Sequence, residues 1–315
     1  MWCSLKAAPF FMEMEYKYRI EKEGAVLERC YGEEERVRIP EKLDGYPVIR
    51  LEAYAFSESR LTRDERRPIC GMQLKELHLP RTLQSIGKYA FYGCRNLEKL
   101  TFTHRPLDIG GGAFTGCVRV KKLRFFMEDA SGYAFKDVTA ELRQELRITL
   151  EYGGGEQAEL LFPEYYEEAV ENTPARILET KFHGSGYHYR QCFQDGVFQY
   201  TEFDSFFFEA QYLESEDFCI ELALLRLQYP YRLSEEAKGC YQSFLMEHRM
   251  SAATWCIEFE QNERLEYMST FIEWNADELA TLIREANTRG RMEIQSFLMD
   301  YKFRHQKRAK KTFDW

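Results

Sequence analysis

LKELHLPRTLQSIGKYAFYGCRN, residues 74–96, lies without a gap over LEKLTFTHRPLDIGGGAFTGCVR, residues 97–119. At this offset of 23, Leu77, Leu79, Ile86, Gly87, Ala90, Phe91, Gly93 and Cys94 recur as Leu100, Phe102, Ile109, Gly110, Ala113, Phe114, Gly116 and Cys117. Self-similarity at such a period is the mark of stacked rungs, none of which can bury its apolar face alone. The L-x-L alternation puts its apolar side chains on one face of a strand. A tight segment then returns the chain through Ala-Phe to the next rung. The small Ala admits close approach of neighbouring returns, the Phe fills the interior, and Cys94 and Cys117 are expected to stack as an internal ladder.

Outward from this pair the pattern weakens but continues. A third unit starts at Val120, with Leu123 and Phe125 in strand register and Leu146 one further period on; its Ala134-Phe135 comes two residues early. Upstream, VRIP (37–40), Leu43, Leu51 and Ala55-Phe56 make a partial unit, with DGYPV (44–48) inserted before its Ala-Phe and a second insertion at 57–73. The expected fold is an α/β repeat: a short solenoid of parallel strands and short helical returns over residues 36–150, followed by an all-α stack of helical hairpins.

The composite I-P-x-x-L, then I-G-x-x-A-F-x-x-C, resembles the BspA-like leucine-rich repeat of bacteria. The segment YKYRIEKEGAVLERCYGEEERVRIPEKLDGYPV also looks like the hairpin that often opens such arrays, so residues 1–35 are expected to cap the first rung, which would otherwise leave an open sheet edge. The resemblance implies a binding role, and for family members at the bacterial surface it implies adhesion to host proteins.

Residues 151–213 are aromatic-rich and connect the two repeat regions. AELLFP echoes the strand-then-Pro endings HLP and RIP and reads as a last degenerate rung. PEYYEEAVENTPARI predicts a short helix ending before Pro174, with Glu164, Glu167, Glu168 and Glu171 on one solvated face. In HGSGYHYRQCF, the residues Tyr187, His188, Tyr189 and Arg190 combine aromatic and cationic groups favoured at binding hot spots and are the candidate partner contacts.

From residue 214 to 305 the period becomes helical. SAATWCIEFEQNERLEYMSTFIEW (251–274) aligns with ELATLIREANTRGRMEIQSFLMDY (278–301), which predicts stacked antiparallel hairpins, ankyrin-like in outline, with turns at NER and TRG. Ser251 and either Asn275 or Asp277 are the expected N-caps, and Pro230 is expected to close the first helix. Residues 306–315 form a basic tail with Lys307, Arg308, Lys310 and Lys311.

The 315 residues hold 44% apolar and 15% aromatic side chains, enough for two packed units, and carry a formal charge of −9. That charge works against a phosphate-binding role for the whole chain. No apolar run approaches the ~18 residues that span a bilayer. The N-terminal stretch lacks the apolar core of a signal peptide, so the expectation is a cytoplasmic protein. Nine cysteines with no C-x-x-C pair fit a reducing compartment.

Catalytic motifs fail one by one. GGGAFTGC (110–117) places Cys117 and Val118 where a phosphate loop needs Lys and Ser or Thr. His183-Gly184-Ser185-Gly186 lacks the outer register of a nucleophile elbow. His183, His188 and Cys192 form the one metal-like spacing, short of a full ligand set. The sequence therefore reads as a non-catalytic protein-binding scaffold without cofactor or metal. A surface adhesin is the alternative, and a metal-dependent enzyme at His183–Cys192 a lesser one.

Overall fold

The computed structural model describes residues 14–60, 66–128, 133–172 and 177–309. It divides into two compact units, Met1–Gln157 with Phe162–Gln199, and Ala158–Leu161 with Tyr200–Trp315. No helix among the described residues is long and apolar enough to cross a membrane.

The first unit opens with an antiparallel hairpin, β1 (Glu15–Ile20) and β2 (Ala25–Tyr31), in which Glu15 lies opposite Tyr31. There follow β3 (Arg36–Arg38), β4 (Lys42–Leu43), β5 (Tyr46–Leu51), β6 (Glu76–His78), β7 (Ser85–Ile86), β8 (Lys99–His104), β9 (Asp108–Ile109), β10 (Lys122–Met127) and β11 (Leu146–Tyr152). Two parallel ladders arise: β2-β5-β7-β9, and β3-β6-β8-β10-β11. Each repeat contributes one strand to each ladder, as the 23-residue period requires. The inserted Asp44-Gly45 forms a tight hairpin turn with both residues at positive φ, joining β4 to β5.

The repeated apolar positions are the core. Leu77, Leu100, Phe102, Leu123 and Phe125 are buried, and the rings of Phe56, Phe91 and Phe114 stack in sequence at 5.6 and 5.3 Å. The returns hydrogen-bond from rung to rung, Phe56 N to Ala90 O at 2.8 Å and Phe91 N to Ala113 O at 2.9 Å. The cysteine ladder is present as well. Cys94 Sγ donates to Phe56 O and Cys117 Sγ to Phe91 O, each at 3.2 Å, and burial pushes the Cys117 thiol up to about 12. These early returns are turns; the return that becomes a helix is α1 (Ala134–Glu141). The two-residue advance of Ala134-Phe135 coincides with that change.

Close approach of the rungs explains the repeated Ile-Gly. A Cβ on Gly110 would fall 2.4 Å from Lys88 N, and one on Gly87 2.4 Å from Ala53 N. Gly110→Ala is therefore expected to lower stability by about 1–3 kcal/mol through overpacking against backbone that cannot rotate away. Urea unfolding measures this, and an unchanged midpoint would mean that the rungs spread freely.

Beyond β11, a turn at Gly153–Gly155 leads at once to β12 (Gln157–Phe162). AELLFP is thus a hairpin partner in sequence distance, not a further rung of full period. Next come β13 (Tyr166–Asn172) and β14 (Ile177–His183), an antiparallel pair with Tyr166 opposite His183. The helix expected over PEYYEEAVENTPARI is a strand instead, a correction with a physical cause. Cross-strand pairing offers this polar segment backbone partners that an isolated short helix lacks, since helix nucleation is costly. Glu168 and Glu167 then lie on successive strand positions; Glu168 pairs with His183 at 3.0 Å and Glu167 with Arg143 at 3.1 Å. Pro174 lies outside the described residues. The short helix α2 (Gly186–Tyr189) and the hairpin of β15 (Phe193–Gln194) with β16 (Val197–Phe198) complete this unit, and Phe193 and Phe198 pack on Phe135 at 5.0 and 5.1 Å.

The second unit is helical: α3 (Tyr200–Ser205), α4 (Phe207–Leu213), α5 (Glu216–Gln228), α6 (Glu235–Glu247), α7 (Arg249–Glu258), α8 (Asn262–Met268), α9 (Ala276–Thr288) and α10 (Met292–Ala309). Successive helices pack as hairpins, α5 with α6, α7 with α8 and α9 with α10. Asn275 caps α9 in a full capping box with Glu278. Helix α5 ends two residues before Pro230. The cap expected at Ser251 is not formed: a single residue, His248, joins α6 to α7, which places Ser251 inside the helix. Ser215 and Ser234 cap α5 and α6 instead. In the core of this unit Arg226, fully buried, donates to Asp204 through Nε at 2.7 Å and Nη2 at 2.9 Å. Of the basic tail, Lys310 and Lys311 lie outside the described residues.

Candidate binding surface

In the longer ladder, Leu77, Leu100, Leu123 and Ile148 point into the core, so their strand neighbours point out. Parallel register then lines the outward side chains into rows. Arg36, Glu76, Lys99, Lys122 and Arg147 form one, and Arg38, His78, Thr101, Arg124 and Thr149 the next. Neighbours within a row are ~4.8 Å apart, the spacing of hydrogen-bonded strands. A third row holds Thr103, Phe126 and Glu151.

The charge on this face is predominantly positive. Arg36 pairs with Glu76 at 3.3 Å and Arg124 with Glu151 at 3.0 Å. Lys99, Lys121 and Lys122 make no ion pair with any described residue. A groove of about 530 Å³, lined by Glu76, Glu98, Lys99, Arg119, Lys121 and Lys122, runs along the start of the strands. His78 reports the local field. Burial lowers its pKa, Arg38, Lys99 and Arg124 lower it further, and only Glu76 opposes them. Thr101 and Thr103 are closed off from solvent, at 2% and 6% exposure, and neither their hydroxyls nor Arg124 Nε has a hydrogen-bond partner among the described residues.

Sequence reasoning offered the exposed sheet of the solenoid, the helical hairpins or the groove between them as the contact surface, but missed the cationic row on the sheet, although the repeat alignment contained its signal. Glu76, Lys99 and Lys122 stand one period apart, at an outward position of the strand. The net charge of −9 conceals them, because the segment from residue 200 to 305 alone holds 20 acidic and 10 basic side chains.

The four candidate contacts named from the sequence do not share one surface. His188 is exposed and Tyr187 half-buried, its ring stacked on Phe182 at 3.8 Å. Tyr189 and Arg190 face inward, at 0% and 3% exposure. Arg190 donates to five backbone carbonyls: Thr139 and Leu142 from Nε, Pro163 and Gly186 from Nη1, and Gln144 from Nη2. With no carboxylate among these partners, burial pushes its guanidinium down to about 10.

The metal-like trio is likewise dispersed in its engagements. His183 pairs with Glu168 and stacks on Tyr166 at 4.5 Å, while Cys192 is buried with its thiol directed at His188 O at 3.6 Å. Among the described residues no three His, Cys, Asp or Glu side chains are grouped to hold a metal ion.

Comparison with known proteins places the repeats. The family model described as BspA type leucine rich repeat region matches residues 69–149, in six copies. Two solved structures are similar to part of the chain. One is a leucine rich repeat protein of T. pallidum, at 22% identity over 40% of this chain and 51% of that one, with a TM-score of 0.27. The other is a leucine rich cell surface protein of Faecalibacterium prausnitzii, at 14% identity over 49% of this chain and 61% of that one, with a TM-score of 0.27. The chain thus covers between half and two thirds of the length of each. No curated protein matches it. It is the rungs from β6 to β11, within residues 69–149, that match the BspA type leucine-rich repeat.

Proposed function

We propose that this chain is a non-catalytic protein-binding scaffold whose contact surface is the outer face of the β3–β11 ladder. The observation that carries the reading is the row of Lys99 and Lys122, free of ion pairs among the described residues, on a sheet whose other face is committed to the core. A solenoid turns such a face into a continuous surface, because each rung adds one strand beside the last. The buried polar groups support the non-catalytic part: Arg190 is taken up by backbone carbonyls, and Arg226 and Asp204 by each other. Nine cysteines without a C-x-x-C pair support a reducing compartment, and a cytoplasmic location is part of this proposal.

Affinity capture from bacterial lysate tests the reading, with the full chain compared against a Lys99→Glu, Lys122→Glu double variant of unchanged circular dichroism. A protein held by the native chain and reduced at least about fivefold on the variant supports it. A partner held equally by both moves the contact to another face. Retention of no protein overturns the scaffold reading.

A further inference from the structure

We infer that the partner presents an acidic polypeptide segment to this face, with carboxylates seated across Lys99 and Lys122. The inference rests on the scaffold reading and names the chemistry that the surface selects. Charge and register carry it: Lys99 and Lys122 stand side by side on neighbouring strands, free of ion pairs among the described residues, and border a groove that Arg119 and Lys121 also line. An acidic polypeptide supplies the complement, carboxylates at the spacing of the row.

The same face argues against a nucleic acid. Glu76, Glu98 and Glu151 interleave with the cations, so a chain of uniformly spaced phosphates would meet repulsion along its path. It also lacks an open stacking platform: Phe126, the aromatic ring of the outward rows, lies under the Arg81 guanidinium, 5.4 Å from its centroid. A polypeptide can place acidic residues over Lys99 and Lys122 and a neutral or basic one over Glu76. The ~4.8 Å row spacing suits a helix laid across the strands, since side chains at i and i+4 stand about 5–6 Å apart, closer to the row than the ~6.6 Å between alternate residues of a strand.

Fluorescence anisotropy with the full chain tests this. The probes are a labelled 15-residue alanine-based helical peptide bearing Glu at every fourth position, its Gln counterpart, and a labelled 15-nucleotide oligothymidine. At low salt the Glu peptide is expected to bind at least about tenfold more tightly than the Gln peptide, and to weaken as salt is raised. Lys99→Glu, Lys122→Glu is expected to weaken it at least about fivefold. Lys88→Glu, which lies on a return turn, is expected to leave it unchanged. Tighter binding of the oligothymidine overturns the acidic-polypeptide assignment in favour of a nucleic acid. A doubled mass in light scattering that the double variant abolishes overturns it in favour of a second copy, seated through its acidic helices. Equal binding of the Glu and Gln peptides overturns it while leaving the scaffold reading in place, provided that lysate capture still depends on Lys99 and Lys122.

Discussion

Arg190→Met is expected to lower the stability of the solenoid unit by about 3–5 kcal/mol, because it leaves several buried carbonyls without a donor. Its side chain is 3% exposed and supplies five hydrogen bonds, of 2.6 to 3.2 Å, to carbonyls of three separate segments. Thr139 and Leu142 belong to the end of α1, where helical carbonyls have no intrahelical donor. Pro163 follows β12, and Gly186 opens α2. Methionine fills much of the volume but strands every one of these acceptors, and each unsatisfied buried acceptor costs about 1–3 kcal/mol before relaxation and water entry. It also removes the guanidinium from above the Tyr165 ring, 5.0 Å from its centroid. Arg190→Lys is expected to recover only part of the loss, because three donors on one atom cannot reach carbonyls spread around a planar fork. Calorimetry of the full chain reads the result as a fall in the solenoid transition. Unchanged stability would release Arg190 from the interior and restore it as a surface contact.

Arg190 also marks the boundary of what the sequence could disclose. The strand ladders were legible because their signal is periodic: Leu77 and Leu100, or Phe91 and Phe114, repeat an environment and so repeat a residue. The same periodicity applies to the Ile-Gly pairs, whose glycines sit against the backbone of the preceding rung. Tyr187, His188, Tyr189 and Arg190 belong to no repeat. Their residue types suit a binding surface and an interior equally well, and for Arg190 the choice depends on carbonyls of which four lie 27 to 51 residues away in the chain. The strand at Tyr166–Asn172 was hidden for a related reason. Its glutamates fall at helical spacing, and only the pairing with Ile177–His183 favours the extended form.

The cationic face was legible in principle and masked in practice. Inward positions of the repeat draw the eye because they keep their residue type, whereas outward positions change from Glu76 to Lys99 to Lys122 while keeping their place. Charge summed over the chain averages that row with the acidic helices and reports −9. Register, which converts a spacing of 23 residues into a spacing of ~4.8 Å, turns scattered lysines into a surface. Function on a repeat protein is carried by such positions, since the fold itself makes no choice among ligands.

In the helical unit, Asp204→Ala is expected to destabilise by about 3–5 kcal/mol, because it leaves Arg226 charged, fully buried and without its carboxylate. Burial alone would depress the guanidinium pKa, but the paired hydrogen bonds and charge of Asp204 outweigh it and hold the value above the ordinary one. The contrast with Arg190, which lacks a carboxylate and is pushed down to about 10, shows what the counter-ion contributes. Asp204 Oδ1 accepts from Tyr241 as well, at 2.9 Å, so the substitution unseats α3, α5 and α6 together. Asp204→Asn keeps the shape and one acceptor oxygen but removes the charge, and its cost is expected to fall between those of the native residue and alanine. Tyr241→Phe removes one hydrogen bond and is expected to cost about 1 kcal/mol. Arg226→Met combined with Asp204→Ala tests the coupling: the double variant is expected to be more stable than Asp204→Ala alone, since no charge is then left buried. Helical circular dichroism at increasing urea gives all four values, and a double variant less stable than Asp204→Ala alone would show that the pair holds the helices by packing and not by charge.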